Sequence, residues 1–366
     1  MNINYNARIE QLQTFDGVDV VAIVPGSNMV YFTGLDYHLS ERPIIALVNS
    51  DGLSLIVPRL EVPTIQKRPD LEARLFMWDD ADGYEGAFRE AVEALGLDGK
   101  TIGVDGLTMR ITEWLAFLKV DPSIKVKPVE RDLIGIRARK TAEEVALMRQ
   151  AIAISETALE TLISEVRPGM TERQIAARLE ALMLAGGAEG LSFGTLVQTG
   201  ANSDNPHGTT TDRAIHAGEF LLIDYGCKVG GYPSDITRTF VMGAPTDEMR
   251  RIYETVYAAN AAGKAAAQPG VTMGAVDAAT RAVIEAAGYG DYFTHRTGHG
   301  LGLDVHEPIP QIAPRVEDVL EAGMVFTIEP GIYIPGMGGV RIEDNVLVTA
   351  DGLDVLTSFP RELRTL

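Results

Sequence analysis

Cysteine and long apolar runs are the scarcest features of this chain. Its 366 residues include one cysteine, Cys227, so no internal disulfide can form, and the composition fits a reducing compartment. No stretch approaches the roughly 18 uninterrupted apolar residues that a membrane helix needs. The N-terminal segment Met1–Asn6 lacks the basic start and apolar run of a signal peptide. These absences predict a soluble, cytoplasmic protein with no membrane partner.

Positive charge is also in deficit. The chain has 32 Lys and Arg against 51 Asp and Glu, which leaves a formal net charge of −19. Nucleic-acid binding depends on basic side chains that displace counterions from phosphates, so this balance argues against a nucleic-acid partner. Most of the acids are interpreted as a solvated surface that aids solubility, although some are available to bind cations.

The length and composition predict two globular domains. With 46% hydrophobic residues and a mean hydropathy of +0.05, the chain is an ordinary globular protein that is too long for one core. A change in character over residues 131–140 places the boundary near residue 134, giving domains 1–133 and 134–366. The first domain is predicted to be mixed α/β, with no catalytic constellation. Its predicted elements are strands at Val18–Val24, Ile44–Val48, Leu53–Val57 and Thr101–Val104, a turn at Asn49–Gly52 that makes a hairpin, and a helix at Glu85–Leu95.

The second domain is predicted to contain an internal repeat. Thr141–Glu144 is a capping-box pattern that starts a long helix. That helix ends in a Pro-Gly-x-Thr sequence at Pro168–Thr171, and a second helix then runs to Gly187. The same order recurs, with Pro-Gly-x-Thr at Pro269–Thr272 and a helix end at Ala287–Gly290. Each unit is followed by β-rich segments, so the pattern predicts two related halves around a shared centre.

Two β-rich segments present pairs of acids. Asp224 and Asp235 lie symmetrically about the Val229–Gly230 bond, and a regular hairpin would place them opposite each other with Cβ atoms about 5 Å apart. Glu329 and Glu343 are likewise symmetric about Gly336. Like charges facing each other within apolar strands are unfavourable unless cations offset them. The pattern therefore predicts a divalent-metal site, and the alternatives are acids that face solvent or strand registers that separate them.

Histidines supply the nitrogen ligand that a transition metal would favour. His299 lies among glycines in Thr297–Gly302, where backbones can approach closely. His306 follows seven residues later, and His207 precedes the first hairpin in Pro206–Gly208. Spacing alone does not decide between His299 and His306 as the ligand, and a lone histidine is more often structural.

The second domain resembles the pita-bread-fold metallopeptidases (family M24), the group of methionine aminopeptidases, Xaa-Pro aminopeptidases, prolidases and the metal-free creatinases. The resemblance spans the whole domain in the family's order. The first domain resembles the creatinase-type N-terminal domain of prolidases and Xaa-Pro aminopeptidases. The matching stretches are Pro206–Gly208, Asp224–Gly226, Ser234–Thr239, Gly298–Pro308, Phe326–Gly331 and Val340–Asp344.

The resemblance implies a dinuclear metallo-exopeptidase that hydrolyses Xaa-Pro bonds. The implied metal ligands are Asp224, Asp235, His299, Glu329 and Glu343, with Asp235 and Glu343 bridging the two ions. Because all five are present, a metal-free creatinase-like reaction is disfavoured.

The remaining site residues have implied roles in substrate binding and proton transfer. Glu329 is also the proton shuttle, and His207 and His306 hydrogen-bond the substrate carbonyl and the developing oxyanion. Arg341 is expected to orient the bridging acids, with a surface ion pair as the alternative. Mixed oxygen and nitrogen ligands favour Mn²⁺ or Co²⁺ and are compatible with Zn²⁺ or Fe²⁺.

The expected partner is a small peptide, and the family expectation is a homodimer in which the loop Gly34–His38 reaches the neighbouring active site. Several prolidases carry an arginine soon after the second histidine to hold a dipeptide's carboxylate. Here Pro308–Gln311 occupies that stretch and Arg315 is the first arginine after it, which favours an Xaa-Pro aminopeptidase or a relaxed dipeptidase. A different hydrolysis or lyase reaction on the same centre, or a non-catalytic pita-bread binding module, are the alternatives.

Overall fold

The computed structural model describes residues 3–366, so Met1 and Asn2 of the N-terminal segment lie outside the described residues. Contacts divide the chain into two compact units, with the first ending at Arg137 and the second running from Ala138 to Leu366. The division falls near the C-terminal end of a helix, Glu130–Ala138, that also contains the boundary expected after residue 133.

The N-terminal unit is a six-stranded mixed sheet with helices. The strands occur in the order β4-β3-β2-β1-β5-β6, with antiparallel pairs β1–β2 and β2–β3 and parallel pairs β3–β4, β1–β5 and β5–β6. Its elements are α1 (Tyr5–Leu12), β1 (Val20–Ile23), α2 (Ser27–Thr33), β2 (Ile45–Asn49), β3 (Gly52–Pro58), α3 (Val62–Gln66), β4 (Ala73–Trp78), α4 (Glu85–Leu95), β5 (Thr101–Val104), α5 (Ile111–Val120), β6 (Lys125–Pro128) and α6 (Glu130–Ala138).

The predicted hairpin and helix of this unit are confirmed. Strands β2 and β3 pair in a register that sets Asn49 opposite Gly52, around a two-residue turn. Helix α4 has the predicted bounds and buries Ala87, Phe88 and Ala91, the spacing of one helix face. This face packs into the same core cluster as the sheet residues Ile45 and Ile56.

The C-terminal unit contains four long helices and thirteen short strands within the described residues. Strand pairing groups the strands into small antiparallel sheets, which include β12-β9-β8 and β14-β13-β15-β18-β19. Its elements are α7 (Ala142–Glu165), α8 (Glu172–Ala185), β7 (Gly190–Leu191), β8 (Leu196–Thr199), β9 (Phe220–Tyr225), β10 (Cys227–Val229), β11 (Tyr232–Pro233), β12 (Ile236–Val241), α9 (Asp247–Ala266), α10 (Met273–Ala286), β13 (Gly298–Gly300), β14 (Glu307–Ile312), β15 (Val325–Ile328), β16 (Gly331–Ile334), β17 (Gly338–Arg341), β18 (Asp344–Val348) and β19 (Leu353–Val355).

The internal repeat predicted from the Pro-Gly-x-Thr sequences is confirmed. In each half a long helix, α7 or α9, is followed by a 14-residue helix, α8 or α10. The threonine of each Pro-Gly-x-Thr sequence, Thr171 or Thr272, caps the shorter helix by accepting a hydrogen bond from the backbone N–H three residues on. Each also forms a backbone bridge to a later segment, at Ala214 and Val319 respectively. Local capping and tertiary pairing therefore repeat together.

No helix within residues 3–366 combines the length and the apolar character that crossing a membrane would require.

A buried ion cluster ties the C-terminal elements together around Asp344. Its carboxylate accepts hydrogen bonds from Arg238 on β12 at 2.8 Å, from Lys264 on α9 at 2.6 Å and from Thr357 at 2.9 Å. Although burial raises the pKa of Asp344, the charges of Arg238 and Lys264 outweigh it and lower the pKa to about 2. Arg238 also donates to the carbonyl of Glu343 at 2.6 Å, so the cluster fixes the strand beside one of the predicted metal ligands.

Replacing Asp344 by Asn should therefore lower the free energy of unfolding. The Arg238 and Asp344 side chains are each 1% exposed, and removing one partner of a buried pair costs about 3–5 kcal/mol. Urea denaturation in EDTA measures this without a contribution from metal. The matched control is Asp354→Asn, whose ion pair with Arg149 is solvent-exposed and should contribute less than about 1 kcal/mol. Equal losses in the two variants would contradict a special role for the buried cluster.

Candidate metal centre

All eight residues expected at the site line one region of the C-terminal unit. A cavity of about 710 Å³ is lined by seven of them, and an adjoining cavity of about 330 Å³ adds Arg341. The side chains come from strand ends and from turns that join strands, where short strands terminate around a common centre. The seven are His207, Asp224, Asp235, His299, His306, Glu329 and Glu343.

Three overlapping groups of these side chains could hold metal ions. Within each group, one ligand atom per residue lies within 4.8 Å of the others. Asp224, Asp235 and Glu343 form one group, and His299, Glu329 and Glu343 form a second. The third group joins Asp235 and His299 to His306. The two acid hairpins and the glycine-flanked histidine therefore converge on one point, with Glu343 shared between two groups.

The first hairpin corrects a detail of the sequence interpretation. Strands β9 and β12 pair Asp224 with Thr237, so the expected direct pairing of Asp224 with Asp235 is wrong by two residues. The turn is Gly230–Gly231, and both glycines have positive φ, at 57° and 80°, as a tight hairpin turn requires. A two-residue shift preserves the face of the strand on which a side chain lies, so both acids still reach the site.

The second hairpin keeps the expected symmetry about Gly336. Gly331 pairs with Arg341 in β16–β17, and Ile328 pairs with Asp344 in β15–β18. Glu329 and Glu343 lie between these two paired segments, at positions that the same register sets opposite each other.

Close backbone packing explains the glycine before His299. A Cβ atom at Gly298 would lie 1.8 Å from the carbonyl oxygen of Thr327 on the neighbouring strand, so no larger residue fits there. This approach sets the Nε2 atom of His299 at 3.4 Å from Glu329 and at 3.6 Å from Asp235.

The environment of His299 suits a neutral metal ligand. Burial and, next, the charge of His306 lower its pKa to about 3. The Nδ1 atom is 3.1 Å from the carbonyl oxygen of Gly300, which can only accept a hydrogen bond. Nδ1 therefore carries the proton, and Nε2 presents its lone pair towards the acids.

Burial, reinforced by mutual repulsion, raises the pKa values of the four acids in the metal-free protein. Burial first, and then the charge of Glu343, raises the pKa of Asp235 well above its usual range. The pKa of Glu343 is raised in the same way by burial and by Glu329, and burial raises that of Glu329 to about 7. The pKa of Asp224 is raised less, because Arg341 opposes the effect of burial. Several acids must hold protons or bind cations at neutral pH.

Arg341 connects the two hairpins through a buried hydrogen-bond network. It donates to Asp224 directly and to the hydroxyl of Thr237 at 3.0 Å, and that hydroxyl donates to Glu343 at 2.6 Å. It also donates to the hydroxyl of Tyr333 at 2.9 Å. Arg341 therefore contacts Asp224 directly and Glu343 through Thr237. Of the two acids expected to bridge the ions, it orients Glu343 and does not hydrogen-bond Asp235.

Four residues near the site were missed by the sequence interpretation. Thr237 lies in a matching stretch but was given no role, and Tyr333 lies two residues after Gly331 on β16. His295 hydrogen-bonds Tyr333 at 3.0 Å, and it lines the smaller cavity together with Arg296. The available signal was the dense run of basic and polar residues just before His299.

The predicted residues His207 and His306 are solvent-exposed at the cavity. The rings of His306 and His299 have centroids 4.0 Å apart. Burial and the charge of Arg296 lower the pKa of His306, so its imidazole is neutral at neutral pH.

Together, the sheet architecture and the buried acid–histidine cluster define a metal-dependent enzyme. Comparison with known proteins identifies its family. Residues 146–350 match the model of metallopeptidase family M24, and residues 7–139 match the creatinase/prolidase N-terminal domain. The chain belongs to metallopeptidase family M24, and it has the pita-bread fold expected from the sequence.

Relatives match over nearly the full length. The chain is 38% identical to the Xaa-Pro dipeptidase of Pyrococcus furiosus, over 97% of this chain and 99% of that protein. Its structure is similar to that of the prolidase from Thermococcus sibiricus, with a TM-score of 0.94, 34% identity and 100% coverage of both chains. It is also similar to the X-Pro aminopeptidase from Thermotoga maritima, with a TM-score of 0.86, 32% identity and coverage of 98% of this chain and 100% of that one.

The raised pKa of Glu329 predicts that its contribution to the stability of metal-free protein falls as the pH rises from 6.5 to 8. In this window unfolded carboxyls are ionised, whereas folded Glu329, with a pKa of about 7, passes from mostly protonated to mostly ionised. Burial and neighbouring acids raise the pKa of Asp235 and Glu343 as well, so their contributions have the same sign. A carboxyl whose pKa is raised in the folded state stabilises the folded protein at low pH. That stabilisation is lost as the pH rises through the folded pKa, at about 1.4 kcal/mol per pH unit for each proton that only the folded state retains.

Urea denaturation in EDTA at several pH values tests this. The histidines with lowered pKa act in the opposite direction, because near pH 6.5 they are about half protonated in the unfolded state and less protonated in the folded state. The contribution of Glu329 is therefore measured as the difference in stability between wild type and Glu329→Gln, and Asp354→Asn is the control whose difference should not change with pH. A wild-type advantage over Glu329→Gln that stays constant or rises from pH 6.5 to 8 would contradict the raised pKa of Glu329.

Proposed function

We propose that this protein is a dinuclear metallo-exopeptidase that hydrolyses the Xaa-Pro bond of dipeptides or at the N-terminus of short peptides. The observation that carries the proposal is the convergence of four acids and His299 into overlapping ligand groups at an open cavity. The names of the dipeptidase, prolidase and aminopeptidase relatives support the proline preference.

The donor set fits two divalent ions. Asp224 Oδ1 is buried without a hydrogen-bond partner among the described residues, and His299 Nε2 has its lone pair available. The residues that would hold the ions are Asp224, Asp235, His299, Glu329 and Glu343, and Asp235 and Glu343 are the two that would serve both ions. Carboxylates with one imidazole suit Mn²⁺ or Co²⁺, and also accept Zn²⁺ or Fe²⁺. Such ions, when bound, polarise a carbonyl and lower the pKa of water.

Protein side chains supply the proton transfer and the substrate contacts. Glu329 takes the proton of the attacking water and delivers it to the proline nitrogen as the peptide bond breaks. His306 and His207 face the same cavity, where their imidazoles can donate hydrogen bonds to the scissile carbonyl oxygen as negative charge develops. Exposure at the cavity keeps both rings accessible to substrate.

Arg341 acts as a positioning residue. Its side chain is 4% exposed and is fully engaged with Asp224, Thr237 and Tyr333. These contacts hold one acid of each hairpin in place, because the hydroxyl of Thr237 passes the constraint on to Glu343.

The cellular setting is also part of the proposal. The lone, buried Cys227 is compatible with the reducing cytoplasm. A homodimer in which Gly34–His38 reaches the neighbouring site remains a prediction, to be tested by the mass of the protein in solution.

Removing metal should abolish peptide hydrolysis, and Mn²⁺ or Co²⁺ should restore it. The test compares EDTA-treated and reconstituted protein on Ala-Pro, Ala-Pro-Ala and the non-proline dipeptide Ala-Ala, with products separated by chromatography. Release of proline from Ala-Pro, or of alanine from Ala-Pro-Ala, is expected, with little cleavage of Ala-Ala. If protein carrying its full complement of metal cleaves none of these peptides, the peptidase assignment is wrong.

Replacing His306 by Ala should lower kcat without displacing metal. Loss of a hydrogen bond that forms to the developing oxyanion typically costs on the order of 10²–10³-fold in kcat. Metal content measured by elemental analysis should stay at the wild-type level, because His306 is proposed to contact substrate. His216→Ala is the matched control, since His216 is exposed and lines neither cavity. Loss of metal from His306→Ala would instead make it a ligand, in the group with Asp235 and His299.

A further inference from the structure

The smaller cavity contains a cation that the proposed reaction does not yet use. Arg296 lines this cavity of about 330 Å³ together with His207, His306 and Glu329, the residues proposed to act on substrate. Its side chain is partly buried, and within residues 3–366 it has neither a hydrogen bond nor an ion pair. The other arginine of the cavity, Arg341, is bonded to Asp224, Thr237 and Tyr333.

The backbone on both sides of Arg296 is anchored. Asp277 accepts hydrogen bonds from the backbone N–H of Thr297 at 3.2 Å and from its hydroxyl at 2.8 Å. On the other side, Arg281 donates to the carbonyl of His295 at 3.0 Å, and the imidazole of His295 lies 2.7 Å from the carbonyl of Arg296 itself. Arg296 is therefore an unpaired charge on a fixed section of backbone, which limits the ordering cost of binding an anion.

The charge of Arg296 is felt at the reacting groups. After burial, it is the next cause that lowers the pKa of His306, and it also opposes the raised pKa of Glu329. Metal ions at the acid cluster would offset the acids, so they would leave the Arg296 charge uncompensated. The cavity then favours an anionic group close to the scissile bond.

A dipeptide carries an anion close to its scissile bond. In Xaa-Pro the terminal carboxylate is attached to the carbon next to the scissile nitrogen, whereas in Xaa-Pro-Yaa it lies about one residue, or roughly 3.5 Å, further away. A guanidinium can bind a carboxylate through two parallel hydrogen bonds.

We propose that Arg296 binds the C-terminal carboxylate of Xaa-Pro dipeptides and makes this protein a dipeptidase in preference to an aminopeptidase on longer peptides. The inference rests on the proposed function. The first arginine after His306 is Arg315, and Arg315 lines neither cavity. Arg296 is therefore assigned the role of binding the carboxylate.

The test compares Arg296→Met with wild type on Ala-Pro, Ala-Pro-NH₂ and Ala-Pro-Ala, using protein loaded with Mn²⁺. The variant should lower kcat/KM for Ala-Pro by about 10- to 100-fold, the worth of a charge-assisted hydrogen bond. For the amide, which has no carboxylate, the change should be less than about threefold, and this activity also shows that the variant is folded. Arg296→Lys should recover part of the Ala-Pro activity, since it keeps the charge but loses the planar fork.

Arg315→Met is the matched control and should leave the ratio of Ala-Pro to Ala-Pro-NH₂ activity at the wild-type value. Equal losses on Ala-Pro and its amide, or no loss on either, would overturn the role of Arg296. A changed ratio in Arg315→Met with a wild-type ratio in Arg296→Met would move the role to Arg315. Wild-type protein that cleaves none of the three substrates would contradict the proposed function itself, and the role of Arg296 with it.

Discussion

The burial of four neighbouring carboxylates, reinforced by their mutual repulsion, is the constraint on which the C-terminal unit depends. Asp224, Asp235, Glu329 and Glu343 lie in overlapping groups whose ligand atoms are within 4.8 Å, and their pKa values are all raised. This arrangement lowers the stability of the folded protein at neutral pH unless cations compensate the negative charge. Membership of a metallopeptidase family accounts for that penalty, because the protein is completed by metal.

Two polar networks hold the acids in place. Arg341 links Asp224 to Glu343 through Thr237, and the Asp344 cluster fixes the strand that follows Glu343. In both networks each basic side chain contacts a carboxylate of the C-terminal unit. Arg296 differs from them because its side chain lines the cavity and has no hydrogen bond or ion pair within residues 3–366. Arg341 and Arg238 therefore support the metal centre, whereas Arg296 is available to bind substrate.

Much of this could be read from local patterns in the chain. Helix α7 was predicted from its Thr141–Glu144 capping box, which the structure forms. The repeated Pro-Gly-x-Thr sequence predicted the two halves, because a threonine cap and a helix end are set by a few neighbouring residues. The symmetry about Gly336 was also correct, since β16 and β17 form a hairpin without an irregularity. The first hairpin was displaced by two residues, because its register depends on the Gly230–Gly231 turn rather than on the symmetry of its acids.

The sequence by itself determined which side chains are acidic, which strands carry them, and that they occur in two related hairpins; these properties follow from local periodicity and turn chemistry. Only the tertiary structure decided that the hairpins meet at one point and that the His299 ring is directed at Asp235 and Glu329. It also distinguished Arg341, whose side chain is hydrogen-bonded, from Arg296, whose side chain has no partner among the described residues. Such distinctions depend on distances between residues far apart in the chain, and spacing along a strand contains no information about them.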